Sequence, residues 1–477
     1  MTELLIISAD GTLVSAGPLY VATIAKQMGI TTKVLPFVNE LSAAEIELFI
    51  RKNCSNDTII GISTTFIKRE GFLDSILAFI DVAKSVGDFR FVVGGAGIVS
   101  QKDRFPENTI FLEGQNREQE IISLFKTLFP NSIEFEFDFT EFAIDYSIIS
   151  GVVPKGIPLH LEVSRGCLFD CSFCHYPLRR TKSKFKSATQ IKKEVETFFG
   201  LFGTTEVILL CNTFNDNEEK VKTVQEAFNQ LPFKPRCFAY TRLDLFEHQS
   251  KDVKDFYQEY VKYVFFGVEG TNKDSLRILN KTTNVDRQKQ SLISFRKSSS
   301  KDTLITTSYI IGLPGEDRDQ SEYFKWVERE QVADFVNLSP LSVNTPNTVV
   351  FEQSTFEKNH KEFGFRFLTK EEATTLISSK LKEIVSSGAS LTEIRSRVPW
   401  VNDKEGNDFI DAFINAKTLS KLITNKTSYF DAIFMNARGK EVPTNQSLDP
   451  TQLHPELYRE RQAFLTEYRS NIFKEEI

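Results

Sequence analysis

The chain has 477 residues, 41% hydrophobic and 26% charged, with a formal net charge of −6. That length exceeds one hydrophobic core, so two or three domains are expected, and the acidic balance gives no general affinity for nucleic acid or anionic membranes. No apolar run reaches the roughly 18 residues of a membrane span, and MTELLIISADGTLVSAG has neither the charged start nor the long apolar stretch of a signal peptide, so neither is expected.

Over residues 1–135 strand-like and helix-like segments alternate. ELLIIS, TKVLPFV, TIIGIST, FRFVVGG and TIFLEG read as buried strands, and the segments between them and after the last carry apolar residues at helical spacing. This rhythm predicts an α/β domain, a doubly wound parallel sheet with helices on both faces. Ligands of such sheets bind at the carboxyl ends of the strands, here marked by small or polar residues: Ser8 to Gly11, Ser63 to Thr65, Gly94 and Gly95, and Gly114. Residues 136–157 break the rhythm and read as a linker.

Alternation resumes over residues 158–350. PLHLEVSRG, TEVILLCN, PRCFAYTRLD, VKYVFFGVEG, DTLITTSYIIG and ADFVNLSPL are six strand candidates, most of them separated by helical stretches. Repeated strand–helix units predict a partial (β/α)6 barrel, with chemistry where strands pass into loops. Residues 351–477 turn polar and read as a mainly helical C-terminal region, serving either as a cap over the site or as plain support.

Three of the six cysteines lie in SRGCLFDCSFCHYP, directly after the first barrel strand: Cys167, Cys171 and Cys174. Few cysteines, half of them clustered, suit a reducing cytoplasm and a metal centre better than disulfides. Thiolates are soft ligands suited to iron–sulfur clusters or zinc, and three leave a fourth coordination position open. Zinc bound by these thiols and His175 would make the chain a zinc-stabilised binding protein. However, Cys174 and His175 are adjacent and poorly placed to turn to one tetrahedral ion, and the usual second ligand pair is missing. His175 is expected as an exposed loop residue, or as a hydrogen-bonding neighbour of the centre. Cys211 and Cys237 fall in predicted strands and read as buried thiols.

CLFDCSFC resembles the Cys-x3-Cys-x2-Cys motif of the radical S-adenosylmethionine (radical SAM) enzymes, including the aromatic Phe173 before the last cysteine. The resemblance implies that Cys167, Cys171 and Cys174 hold a 4Fe-4S cluster whose open iron binds S-adenosylmethionine, yielding a 5′-deoxyadenosyl radical on reduction. Further segments follow the family's order. LCNTFNDN offers Asn212 and Asp216 to cofactor or substrate. YTRLD offers Arg242, to pair with the S-adenosylmethionine carboxylate, together with Asp244. FFGVEG offers Glu269 to the amino group or ribose, and YIIGLPGED offers the backbone at Ile311 and Gly312 to the adenine. The family's methylthio-transfer branch carries three further cysteines in its N-terminal domain; this chain has only Cys54 there.

A doubly wound domain before the barrel resembles the cobalamin-binding (B12-dependent) branch. Ser63 and Thr65 match its serine position after the third strand, and Gly94 and Gly95 its Gly-Gly turn. No histidine precedes His160, so cobalamin would have no histidine ligand from this domain. The resemblance implies methylation or another transformation of an unactivated carbon, in a small molecule or peptide, with a reductant such as flavodoxin or ferredoxin. The alternative within the family is rearrangement, cyclisation or oxidation without methyl transfer. No membrane partner is expected, and a long nucleic acid is disfavoured.

Overall fold

A computed structural model describes residues 2–10, 14–64, 71–95, 102–112, 117–149, 151–176, 178–316, 319–344, 353–395, 397–422, 429–440 and 450–474. Among these, β1 (Thr2–Ser8), β2 (Thr32–Leu35), β3 (Cys54–Ser63), β4 (Arg90–Gly94) and β5 (Ile110–Leu112) form one parallel sheet in the order β2-β1-β3-β4-β5. Helices α1 (Ala16–Gln27), α2 (Ala43–Asn53), α3 (Phe72–Val86) and α4 (Arg117–Leu128) accompany it. The strands are apolar at consecutive positions, as in Leu4 to Ile7, because both faces are covered. Sharp starts are written into the sequence: Ser42 accepts the Glu45 N–H while Glu45 reaches back to the Ser42 N–H, a capping box that opens α2. The strand order reverses direction at β1/β3, which leaves a crevice beyond the carboxyl ends of these strands.

The second sheet runs β6 (Leu159–Glu162), β9 (Glu206–Leu210), β10 (Arg236–Thr241), β11 (Val261–Glu269), β12 (Leu304–Ile311) and β13 (Phe335–Pro340), all parallel. Between β6 and β9 a small hairpin pairs β7 (Ser164–Arg165) with β8 (Lys184–Phe185). Crossover helices are α5 (Ala188–Phe202), α6 (Glu218–Asn229), α7 (Leu243–Phe246), α8 (Lys251–Tyr260), α9 (Lys273–Ile278), α10 (Val285–Ser298) and α11 (Ser321–Glu330). Each long strand lies beside the next in one direction, the progression of a partial (β/α)6 barrel.

The C-terminal region carries helices α12 (Thr355–Lys358), α13 (Lys370–Ser379), α14 (Leu381–Ser387), α15 (Leu391–Arg395), α16 (Phe409–Ser420), α17 (Tyr429–Ala437) and α18 (Pro450–Lys474). It also holds an antiparallel sheet the sequence did not announce, β14 (Phe365–Phe367), β15 (Trp400–Asn402) and β16 (Asn407–Asp408). Strands of two or three residues show no measurable alternation, and β14 finds its partner only far along the chain. Trp400, 1% exposed, packs edge-on against Phe365 and donates its indole N–H to the Leu341 carbonyl.

Two C-terminal helices decide how the halves meet. Ala432, Ile433 and Met435 of α17 form one cluster with Ile208, Phe238, Tyr263, Leu304 and Phe335, one residue from each of five barrel strands. That cluster lies in the amino half of the strands, on the face that the crossover helices leave bare, so α17 plugs the barrel interior from below. Helix α18 returns to the first sheet: Phe464 and Tyr468 pack against Phe37, and the Tyr468 hydroxyl donates to the Pro36 carbonyl. No helix among the described residues is long and apolar enough to cross a membrane.

Candidate active site

The cysteine loop leaves β7 and is held almost entirely by main-chain bonds. Cys167 N–H donates to the Leu178 carbonyl (3.1 Å), Thr181 N–H to the Cys167 carbonyl (3.0 Å), and Cys174 N–H to the Cys171 carbonyl (3.0 Å). Ser172 ties the loop to α9 through its N–H to Leu279 and its hydroxyl to Ile278. Its carbonyl accepts from Phe356 N–H of α12, so the C-terminal region buttresses the loop. His175 is half-buried rather than exposed: its Nε2 lies 2.7 Å from the carboxylate of Glu357, whose side chain is fully buried. Burial would push the Glu357 carboxyl up, but the His175 contact, helped by the Ser354 and Asn344 N–H groups, holds it below its ordinary range.

Burial pushes the thiols of Cys171 and Cys174 up, against the pull of Lys281 and then Arg242 at Cys171. Among the described residues no three His, Cys, Asp or Glu are gathered to hold a metal ion. An iron–sulfur cluster distributes its thiolates over separate irons, and three soft sulfurs on one short loop, with two cations beside them, suit that group.

Around the loop stand several residues singled out in the sequence. Arg242 is 8% exposed; it donates to Asp244 through Nε (3.0 Å) and Nη2 (2.6 Å), points Nη1 at Cys171 Sγ (3.6 Å), and stacks on Phe169. Its carboxylate-recognising fork is therefore filled by Asp244. Glu269 accepts from the Ser308 hydroxyl (2.7 Å) and lies 3.3 Å from Lys281 Nζ, with backbone φ of 66°. Gly267 makes this fold-over possible: a Cβ there would sit 2.6 Å from the Glu269 carboxylate and 3.0 Å from Lys281 Nζ. Phe173 is half-buried against the main core. Ile311 and Gly312 are engaged internally, the Ile311 carbonyl by Leu341 N–H and the Gly312 N–H by Glu316. The Asp216 side chain is buried in an ion pair with Lys220 and accepts from the Ser183 hydroxyl.

A largely apolar cavity of about 490 Å³ lies between the carboxyl ends of the two parallel sheets. Ser63, Gly94 and Gly95 line it from the first sheet, and Ser164, Asn212 and Tyr240 from the barrel. A slot continues down one face of the first sheet under α1 and α4, past Leu4, Ile6 and Gly61. The missing side chain at Gly61 leaves it room, since a Cβ there would meet Ile6 at 3.3 Å. Thr65 lies outside the described residues. The structure thus brings Asn212 to the same cavity as Ser63, Gly94 and Gly95, while Arg242, Asp244 and Glu269 surround the cysteine loop.

Residues 161–327 match the model of the radical SAM superfamily. The chain carries a radical SAM domain. The match begins in β6 and takes in the cysteine loop and the strands through β12. The ribosomal protein uS12 methylthiotransferase RimO of Bdellovibrio bacteriovorus is 25% identical over 317 residues, 61% of this chain and 67% of that protein. RimO of Thermosipho melanesiensis is 25% identical over 245 residues, 45% of this chain and 56% of that protein. The matches thus span between about half and two thirds of these relatives. Among solved structures, the radical S-adenosylmethionine methyltransferase TsrM from Kitasatospora setae, with cobalamin and a 4Fe-4S cluster bound, superposes with a TM-score of 0.57 at 13% identity, covering 78% of this chain and 81% of that one. The cobalamin-dependent S-adenosylmethionine radical enzyme OxsB, with aqua-cobalamin bound, gives 0.54 at 13% identity, covering 98% and 72%. Likeness at that identity concerns the fold.

Four cavity residues of the radical SAM domain and its surroundings escaped the sequence reading: Glu162, Arg165, Tyr176 and Tyr240. Arg165 grips Glu162 with Nε and Nη2 (2.9 and 3.0 Å), reaches Glu118 of α4 at 2.5 Å, and lies over the rings of Tyr20 and Phe139. It thereby ties the barrel to the first sheet at the cavity wall. The Tyr176 hydroxyl accepts the Gly166 N–H at 3.0 Å. A signal was available: His160, Glu162 and Ser164 alternate on β6 and beyond, and polar residues at period two on a barrel strand face the interior.

Proposed function

We propose that this chain is a cobalamin-dependent radical SAM enzyme that methylates an unactivated carbon. The observation that carries the reading is the cavity between the two carboxyl-end faces, with small residues on one wall and polar barrel residues on the other. In this reading residues 1–135 bind the corrinoid, 136–157 link, 158–350 bind the cluster and S-adenosylmethionine, and 351–477 close the assembly. When bound, the cluster and S-adenosylmethionine would supply radical chemistry at carbon, and cobalamin a transferable methyl group.

The chain's own residues do the positioning. Cys167, Cys171 and Cys174 hold the cluster. Arg242 and Lys281 place positive charge beside those sulfurs, and Glu269, fixed by Ser308 and Lys281, presents a carboxylate to the ammonium or ribose of S-adenosylmethionine. Phe173 and the backbone at Ile311 and Gly312 border the adenine, and Asp244 orients Arg242. Ser63, Gly94 and Gly95 would hold the corrinoid, with the slot beside Gly61 open to its nucleotide tail, and Thr65 is assigned to the same group from the sequence alone. Asn212 stands on the barrel wall opposite. Helix α17 seals the barrel from below, which keeps water from reaching the radical through that end.

Methylthio transfer, the activity in the relatives' name, would add sulfur and so calls for further thiols near the site. Cys54 is the one cysteine before Cys167, and it is buried at the amino end of β3, away from the cavity. Anaerobic purification with hydroxocobalamin supplied tests the proposal. The protein should retain corrinoid through gel filtration, contain about four irons per chain, and cleave S-adenosylmethionine under strong reductant. Protein that assembles a cluster yet never retains corrinoid would overturn the cobalamin-dependent reading.

A further inference from the structure

The cysteine loop has an outer side as well as an inner one. The strip 178–184 runs along it: Leu178 and Thr181 hydrogen-bond directly to the main chain of Cys167, and Lys184 pairs with Arg165 across the β7/β8 hairpin. This strip is at the surface. Arg180, Thr181, Lys182 and Lys184 are exposed, and so are two large apolar side chains, Leu168 (51%) and Leu178 (41%). Exposed leucines beside exposed cations, on a loop otherwise tied down by hydrogen bonds, form a small apolar patch with a basic rim.

The charge is one-sided. Between Asp170 and Glu194 the sequence holds no acidic residue, while Arg179, Arg180, Lys182, Lys184, Lys186, Lys192 and Lys193 fall in that interval. Several are already neutralised: Arg179 and Arg180 share Asp170, Lys186 is buried against Glu194, and Lys192 faces Glu196 at 3.8 Å. Lys184 feels the exposed Asp138. Two arginines on one carboxylate, plus Lys182 and Lys184, leave the strip net positive on a chain whose overall charge is −6. An acidic partner is repelled by the molecule as a whole and drawn to this strip.

We propose that this strip, with Leu168 and Leu178 at its centre, docks a small acidic one-electron carrier protein and is the entry point for the electron that the cluster uses. The inference rests on the preceding reading only in that Cys167, Cys171 and Cys174 hold an iron–sulfur cluster. One electron leaves the reduced carrier, which is oxidised by one unit, and enters the oxidised cluster, which is reduced by one; no bond is made or broken and no proton is required. The route is short because the carrier would sit against residues 178 and 181, one hydrogen bond from Cys167. The opposite side of the loop faces Arg242 and Glu269 and is left for S-adenosylmethionine.

The test is cluster reduction followed in a stopped-flow instrument by loss of visible absorbance, in the full chain with its cluster. Flavodoxin hydroquinone is one reductant and dithionite the other. K182E and K184E together reverse two exposed charges on the strip; K301E, an exposed position before the amino end of β12, is the control. Reduction by flavodoxin should slow about tenfold or more at low ionic strength in the double variant, and the difference should largely vanish at about 0.5 M salt. Dithionite reduction and the K301E variant should match the unmodified protein. Unchanged flavodoxin kinetics would overturn the proposal. So would equal slowing with dithionite, which would put the effect in the loop itself. Failure to assemble any cluster would instead sink the preceding reading.

Discussion

Substituting Gly94 by valine separates cavity filling from folding. Gly94 ends β4 at the cavity wall, and a Cβ there meets only Leu112, at 3.8 and 3.9 Å, which is ordinary contact. Its backbone is in no glycine-only conformation. The corrinoid-free protein should therefore keep its stability to within about 0.5–1 kcal/mol, as for a substitution that meets no clash. The added isopropyl group instead projects into a space of about 490 Å³ that a bound ligand must fill. Overpacking a filled site costs about 1–3 kcal/mol, equivalent to about 5- to 150-fold in dissociation constant. The assay is spectrophotometric titration with hydroxocobalamin, beside denaturant unfolding of the corrinoid-free protein. Unchanged corrinoid affinity in a stably folded Gly94→Val protein would refute the reasoning, since the wall would then not touch the ligand.

Cys171→Ser should remove the brown visible absorption of anaerobically reconstituted protein while leaving the far-ultraviolet dichroism unchanged; a retained cluster would contradict the ligand assignment. Trp400→Ala removes a fully buried indole from the junction of β14, Leu341 and Gly312, and should cost about 3–5 kcal/mol in denaturant unfolding. His160 is half-buried as a residue, but its Nε2 is sealed from solvent with no partner among the described residues, and burial pushes its pKa down to about 4. The unfolded chain therefore takes up this proton near pH 6.5 while the folded one resists, so stability falls as pH drops from about 6.5 to 4, by about 3 kcal/mol from this group. His160→Phe should flatten that part of the stability–pH curve, and an unaltered slope would assign it to other groups.

Much of the fold was legible because both parallel sheets are buried on two faces. Runs such as ELLIIS and DTLITTSYIIG leave little choice but a central strand. The C-terminal region was harder. Helix α17 has no feature in YFDAIFMNA that distinguishes a barrel plug from any other apolar helix, and β14 to β16 are too short to show a period. At the site, the thiols announced themselves by spacing, which is local. Arg165, in the same stretch, drew no attention because its meaning depends on Glu118 and Tyr20, brought to it only by packing. His175 was misjudged for the same reason, since its partner Glu357 lies 182 residues away.

Helix α18 fixes the order in which this protein can be completed on the ribosome. The contacts of Phe464 and Tyr468 with Phe37 and Pro36 join α18 to the turn that follows β2, made more than 400 residues earlier. The amino-terminal sheet and the barrel can each mature during synthesis, but this fastening waits until α18 has left the exit tunnel.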